Sequence, residues 1–246
     1  MLILKASNLV KKYSGRTVVD RISFEVSEGE IVGLLGRNGA GKTTSFRMAI
    51  GMISPEGGRV DFNGQDVTKL PMCQRAQRGL GYLSQEPSIF QRLSVEDNLM
   101  AILETRPLNK AQRRQRAMEL MNHFDLTKLH RQLAHTLSGG ERRKLEIARA
   151  LICDPSLILL DEPFSGVDPV AVEELQAEIR RLRQENQIAM LITDHNVQRT
   201  LEVVDRAYVI FEGQVFAEGT PKQIINNDQV RKLYLGSTFR GDEFDE

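Results

Sequence analysis

The chain has 246 residues, 41% of them apolar, with 33 Lys plus Arg set against 33 Asp plus Glu. That size and apolar share suffice for one large domain with its own core, and a formal net charge of zero argues against a protein that binds nucleic acid through charge excess. Cys73 and Cys153 stand far apart, and His123, His130, His135 and His195 lack metal-ligand spacing, so neither a disulfide framework nor a zinc site is expected.

The opening MLILKASNLVKKY has too short an apolar run for a secretory leader, and no later stretch approaches the ~18 apolar residues of a membrane span. The expectation is a soluble, cytoplasmic chain that does any membrane work through partners. Short β-rich pieces at 3–9, 18–26 and 59–62 are separated by the turns SGR, SEGE and EGG. EIVGLLG (30–36) is a near-continuous apolar run, the pattern of a strand covered on both faces, and it leads through a glycine-rich turn into the helical stretch TTSFRMAIGMI. From about 94 to 151 apolar residues recur at three- and four-residue intervals. Within that region KAQRRQR (110–116) reads as the solvated face of a helix rather than a nucleic-acid patch. After Pro155 the β/α alternation returns: SLILLDEP, an amphipathic helix over 170–186, the buried strand IAMLITDH, another helix, and a closing hairpin of RAYVIFEG and GQVFAEG. The layout predicts a parallel-sheet α/β domain interrupted by a helical insertion, without specifying the strand order.

GRNGAGKTT (36–44) matches the phosphate-binding pattern G-x-x-x-x-G-K-[ST]. Gly36, Gly39 and Gly41 permit a backbone that turns successive N–H groups, those of Arg37, Asn38 and Ala40 among them, inward as an anion nest at a helix start. Lys42 can reach the β- and γ-phosphates, and the Thr43 hydroxyl, with Thr44 next to it, is placed to ligate Mg²⁺. An ordinary glycine-rich turn would not need the buried strand before it and the helix after it. ILLDE (158–162) ends an apolar strand in two carboxylates at the sheet edge where α/β proteins bind ligands. Asp161 suits the Mg²⁺ shell, and Glu162 can orient or deprotonate an attacking water. In TLSGGERRKLEIARAL (136–151), Ser138, Gly139, Gly140 and Glu141 open a helix. Two readings stand here: a capping box, which the Ser138–Glu141 spacing supplies, or a second phosphate site, which would explain two glycines that otherwise weaken a helix start.

With the phosphate loop and the LILLDEP strand, LSGGE (137–141) resembles the signature of ABC-type ATPases, and the resemblance covers essentially the whole chain. It implies an α/β P-loop NTPase core of ABC ATPase type with an N-terminal antiparallel β subdomain and a helical subdomain inserted at about 94–151, the nucleotide-binding domain spanning 1–236 and an acidic tail 237–246. It implies that Tyr13 stacks on adenine (a core tyrosine being the alternative), that Gln85 contacts Mg²⁺ and senses the γ-phosphate, that the loop 165–168 crosses a dimer interface, and that His195 holds the γ-phosphate. It also implies a homodimer in which Ser138 and its glycines complete the partner's site around two ATP, hydrolysed to ADP and phosphate.

Stretches 79–101, 164–172, 193–201 and 232–240 resemble ATPase subunits of bacterial lipopolysaccharide exporters, with Ser84 standing where proline is usual and a longer acidic end as departures. That resemblance implies a dimer on the cytoplasmic face of the inner membrane, docked on two membrane subunits, with lipopolysaccharide as cargo of the complex rather than a direct ligand. Phe90, in the stretch 87–93, is then the docking anchor, or else it packs on the helical insertion. The rivals are a branched-chain amino-acid importer ATPase and a cytosolic iron–sulfur assembly ATPase. Chromosome-organising ATPases fit poorly, because no heptad run separates Thr44 from Ser138.

Overall fold

The structure, a computed structural model, describes residues 1–86, 88–166 and 168–235. The acidic tail expected at 237–246 lies outside the described residues, as do Val167 of the 165–168 loop and Pro87 of the proposed docking stretch. Two sheets organise the rest. The first is antiparallel, in the order β2-β1-β4-β5, from β1 (Leu2–Tyr13), β2 (Arg16–Ser27), β4 (Gly57–Phe62) and β5 (Gln65–Asp66). The second runs β10-β9-β3-β8-β7-β6, from β3 (Ile31–Leu35), β6 (Leu80–Leu83), β7 (Leu157–Asp161), β8 (Ala189–Thr193), β9 (Arg206–Phe211) and β10 (Gln214–Gly219). All its neighbours pair in parallel except the closing β9–β10 hairpin.

β3, β7 and β8 are buried at every residue. Their side chains alternate between two cores, as a strand's two-residue period requires. Leu157 and Leu159 join the core under the antiparallel sheet, with α1 (Lys42–Ile50); Ile158 and Leu160 join the core on the helical side. This is why the continuous apolar runs read as strands covered on both faces. The helical insertion comprises α3 (Val95–Leu103), α4 (Lys110–His123) and α5 (Gly139–Leu151), close to the predicted 94–151. α4 buries only Ala117, Leu120 and Met121, so the basic run 110–116 lies on its solvated side. α6 (Pro169–Asn186) and α7 (Val197–Leu201) cover the same face of the sheet. No helix among the described residues is long and apolar enough to cross a membrane.

Arg75, on the short α2 (Met72–Ala76), was not anticipated from the sequence; a lone arginine in a polar stretch carries no signal. It is 1% exposed, and its guanidinium donates to the carbonyls of Met48, Ala49, Leu70 and Thr68. Two of these belong to the last turn of α1, where carbonyls lack intrahelical partners and the dipole favours a cation. Gly51 ends that helix at φ +84°, and a Cβ there would come within 2.6 Å of Arg75 Nε. Burial brings Arg75 down to about 10, still charged at neutral pH. Arg75→Met would remove a donor from four carbonyls, of which Met48 keeps the Gly51 N–H at 3.2 Å; each buried carbonyl left without a partner costs about 1–3 kcal/mol before relaxation. We expect a loss of about 3 kcal/mol or more in urea unfolding, with the unfolding slope unchanged.

Candidate active site

The strand order places β3, β8, β7 and β6 side by side, so their carboxyl ends form one row. That row carries the glycine loop after β3, Asp194 and His195 after β8, Asp161 and Glu162 at the end of β7, and Gln85 after β6. Residues separated by up to 159 positions (195 − 36) thereby share one crevice, where open α/β sheets bind ligands.

The loop from Gly36 enters α1 through Gly41, whose φ of +105° admits no ordinary side chain. Gly36 (φ +147°) is closed by packing too, since a Cβ would lie 2.2 Å from the Ile210 carbonyl oxygen; Gly39, by contrast, faces open space. Lys42 is 5% exposed, and its ammonium donates to the Gly36 carbonyl at 2.5 Å and the Arg37 carbonyl at 3.1 Å. Burial pulls the Lys42 ammonium below its ordinary value, against the opposing charges of Glu162 and Asp194. The loop opens onto a cleft of about 1140 Å³, walled by Arg37, Asn38, Ala40, Arg16, Gly213 and His195 among others. Such a cleft has room for a nucleotide, with its phosphates over the loop's N–H groups and the helix start. Tyr13 is not in its wall. It pairs with Arg16 at the tip of the β1–β2 hairpin, 47% exposed, with the Lys11 ammonium 5.7 Å from its ring centroid. That placement excludes the core-tyrosine alternative and leaves a ring free to stack.

Glu162 sits at φ +46°, a left-handed conformation that costs a non-glycine residue of order 1 kcal/mol. Its N–H donates to the Thr193 carbonyl at 2.7 Å, which holds the turn. The carboxylate accepts from Gln85 Nε2 at 2.9 Å and lies 3.4 Å from His195 Nδ1. Asp161 is buried, and burial raises its carboxyl above the usual range; its carboxylate accepts a long hydrogen bond from the Tyr82 hydroxyl, 3.4 Å. Asp161, the Thr43 hydroxyl and the Gln85 amide oxygen are hard oxygen donors of the kind Mg²⁺ takes alongside phosphate and water. A buried carboxylate with so weak a partner fits a cation.

Sequence reasoning missed Asp194. Fully buried, it accepts from the N–H groups of Phe164 (2.9 Å) and Asn196 (2.8 Å), tying the loop after Glu162 to the turn bearing His195. The only signal was its place between a buried strand and a histidine.

The second glycine pair stands elsewhere. None of Ser138, Gly139 and Gly140 lines the cleft that the chain's own phosphate loop opens onto. The capping box is present: Glu141 N–H donates to Ser138 Oγ, and Ser138 N–H and Oγ donate to the Glu141 carboxylate at 2.8 Å each. These bonds hold the Glu141 carboxyl below its usual range. The cap does not explain the glycines. A Cβ at Gly139 would meet nothing within 4 Å, and one at Gly140 only Ala171 Cβ at 3.9 Å. Asp168, in the 165–168 loop, caps α6 by accepting from the Ala171 N–H.

Comparison with known proteins accords with this geometry. Residues 19–165 match the ABC transporter family and 214–240 the branched-chain amino acid ATP-binding cassette transporter family. The chain is 51% identical to a lipopolysaccharide export system ATP-binding protein of Haemophilus influenzae, over 98% of this chain and 100% of that one. It is 49% identical to the protein of that name from Acidithiobacillus ferridurans, over 97% and 98%. A solved ATP-binding cassette of an ABC transporter superposes with a TM-score of 0.87 at 29% identity, over 96% of this chain and 100% of that one. A phosphate loop, two carboxylates and a histidine on one sheet edge, in a chain that matches from end to end, leave one conclusion: the chain belongs to the ABC transporter family, as an ATP-binding and ATP-hydrolysing member.

Proposed function

We propose that the chain is the ATPase of a lipopolysaccharide exporter, acting as a homodimer that closes around two ATP on the cytoplasmic face of the inner membrane. The supporting observation for the dimer is the Ser138-Gly139-Gly140 helix start: it is open to approach and lines no part of its own cleft, which fits service to the cleft of a second copy. ATP then joins the two chains, and its hydrolysis releases them. Lys42 exchanges the Gly36 and Arg37 carbonyls for phosphate oxygens. Thr43, Asp161 and Gln85 hold Mg²⁺, which neutralises phosphate charge when bound. Glu162 orients the attacking water and takes its proton, with Gln85 and His195 setting the direction of its carboxylate, and His195 bears on the γ-phosphate. Tyr13 stacks on the base.

Similarity along the whole chain to two lipopolysaccharide export ATPases supports the cargo. The C-terminal match to branched-chain amino-acid cassettes favours a second reading, an importer of those amino acids. Pulldown from native membranes followed by mass spectrometry decides between them: subunits that bind lipopolysaccharide support export, and amino-acid permeases sink it.

The docking site for the membrane subunits is proposed around Phe90. Its main chain is clamped by the buried Asn98 of α3, which accepts from the Phe90 N–H at 2.8 Å and donates to its carbonyl at 3.0 Å. Its ring stays 44% exposed with the Arg149 guanidinium 4.5 Å from the centroid. An aromatic ring held rigidly at the surface is a low-entropy anchor. Phe90→Ala should leave the ATPase rate of the isolated protein within about twofold while costing about 2 kcal/mol or more of docking, read as lost co-purification with membrane subunits. Unchanged co-purification would remove Phe90 from the interface.

A further inference from the structure

Tyr82 leaves β6 beside Leu159 of β7, its register partner, and both side chains pack into the core under the antiparallel sheet. Asp161 stands two residues beyond Leu159, so the strand's two-residue period puts it on that same face. The Tyr82 ring lies against Phe46 of α1, with centroids 6.2 Å apart and planes tilted by 55°, and Phe46 is fully buried. From there the hydroxyl reaches Asp161 and donates to Oδ2 at 3.4 Å. Packing against Phe46 needs only the ring, which phenylalanine would supply. As a tie between strands the bond adds little, because β6 and β7 already pair from Leu80–Leu157 to Leu83–Leu160. A long bond from a neutral donor also leaves the charge of a buried carboxylate largely unmet. What it supplies is direction, since it engages one particular carboxylate oxygen. The ring that carries it is held by α1, the helix that also carries Lys42 and Thr43.

We propose that Tyr82 is a positioning residue for the metal: its hydroxyl holds Oδ2 of Asp161 and leaves the other carboxylate oxygen for the Mg²⁺ of a bound nucleotide. The proposal rests on the reading of Asp161 as a Mg²⁺ ligand and deepens it. Partners of this kind set a ligand's orientation without touching the ion, and their removal weakens metal binding by about ten- to a hundredfold. A long neutral bond belongs at the lower end of that range.

Tyr82→Phe removes the hydroxyl and keeps the ring on Phe46. The probe is the β,γ-imido analogue of ATP, which is not hydrolysed, titrated into the protein with Mg²⁺ and with EDTA in its place. Mg²⁺ should tighten the analogue on the parent. In Tyr82→Phe that gain should shrink about tenfold, while affinity in EDTA stays within about twofold of the parent. An unchanged gain would overturn the proposal. So would an equal loss with and without Mg²⁺, which would make the hydroxyl a structural group. Asp161→Asn, titrated in parallel, separates this proposal from the reading beneath it. If Asp161→Asn keeps the parent's gain, Asp161 is not a Mg²⁺ ligand and both fall; if it loses the gain while Tyr82→Phe keeps it, only the role of Tyr82 falls.

Discussion

Glu162→Gln is expected to lower the rate of ATP hydrolysis by about a hundred- to ten-thousand-fold, the usual contribution of a positioned general base, while leaving ATP binding intact. The substitution is nearly isosteric and keeps an oxygen for the Gln85 amide, now 2.9 Å from the carboxylate, so the crevice retains its shape. What goes is the ability to accept the proton of the attacking water. In barrier terms that is about 3–5 kcal/mol. In the proposed dimer ATP joins the two chains and is no longer consumed, so the variant should elute as a dimer in size-exclusion chromatography with ATP and as a monomer without it. A variant that is monomeric in saturating ATP would defeat the proposed dimer, and one that turns over normally would remove Glu162 from the chemistry.

Ser138→Arg is expected to abolish hydrolysis, by at least about a hundredfold, although Ser138 lines no part of its own chain's cleft. An arginine at this helix start blocks the open approach over Gly139 and Gly140, and on the proposed arrangement it removes a phosphate donor from the partner's site. It also breaks the box with Glu141, for which about 1 kcal/mol of helix stability should be lost. That is too little to unfold a domain, and circular dichroism checks it. The decisive measurement pairs Ser138→Arg with Lys42→Ala. Each variant is inactive alone, but a mixed dimer contains one site with an intact phosphate loop facing an intact Ser138. Partial recovery on mixing establishes shared sites. Full activity of Ser138→Arg by itself would show that the glycine pair is only a helix cap.

Much of the crevice was legible from short-range pattern. Gly36 to Thr44 could be read because a nest of main-chain N–H groups needs glycines at fixed spacing next to a helix start, and such needs are written locally. Asp161 and Glu162 were legible only beside the phosphate loop, because an apolar strand ending in two carboxylates would by itself more often supply a helix cap or a surface turn. Ser138 remained divided between two readings because cap and phosphate site use the same residue types; the structure contains the cap and also shows that the cap leaves the glycines unexplained. Asp194 and Arg75 were not legible. Each is defined by partners far along the chain: Phe164 for Asp194 and the end of α1 for Arg75. No spacing rule connects them.

The amino-acid sequence by itself determined the strand and helix inventory, the helical insertion and the phosphate-binding chemistry, since burial on both faces, helical period and glycine geometry are properties of neighbouring residues. Only the tertiary structure decided which strands adjoin, and with that which side chains meet. The order β9-β3-β8-β7-β6 brings Gln85 and His195 to the Glu162 carboxylate, because parallel strands gain their burial from whichever neighbours the crossovers deliver, and that depends on the packing of the whole chain.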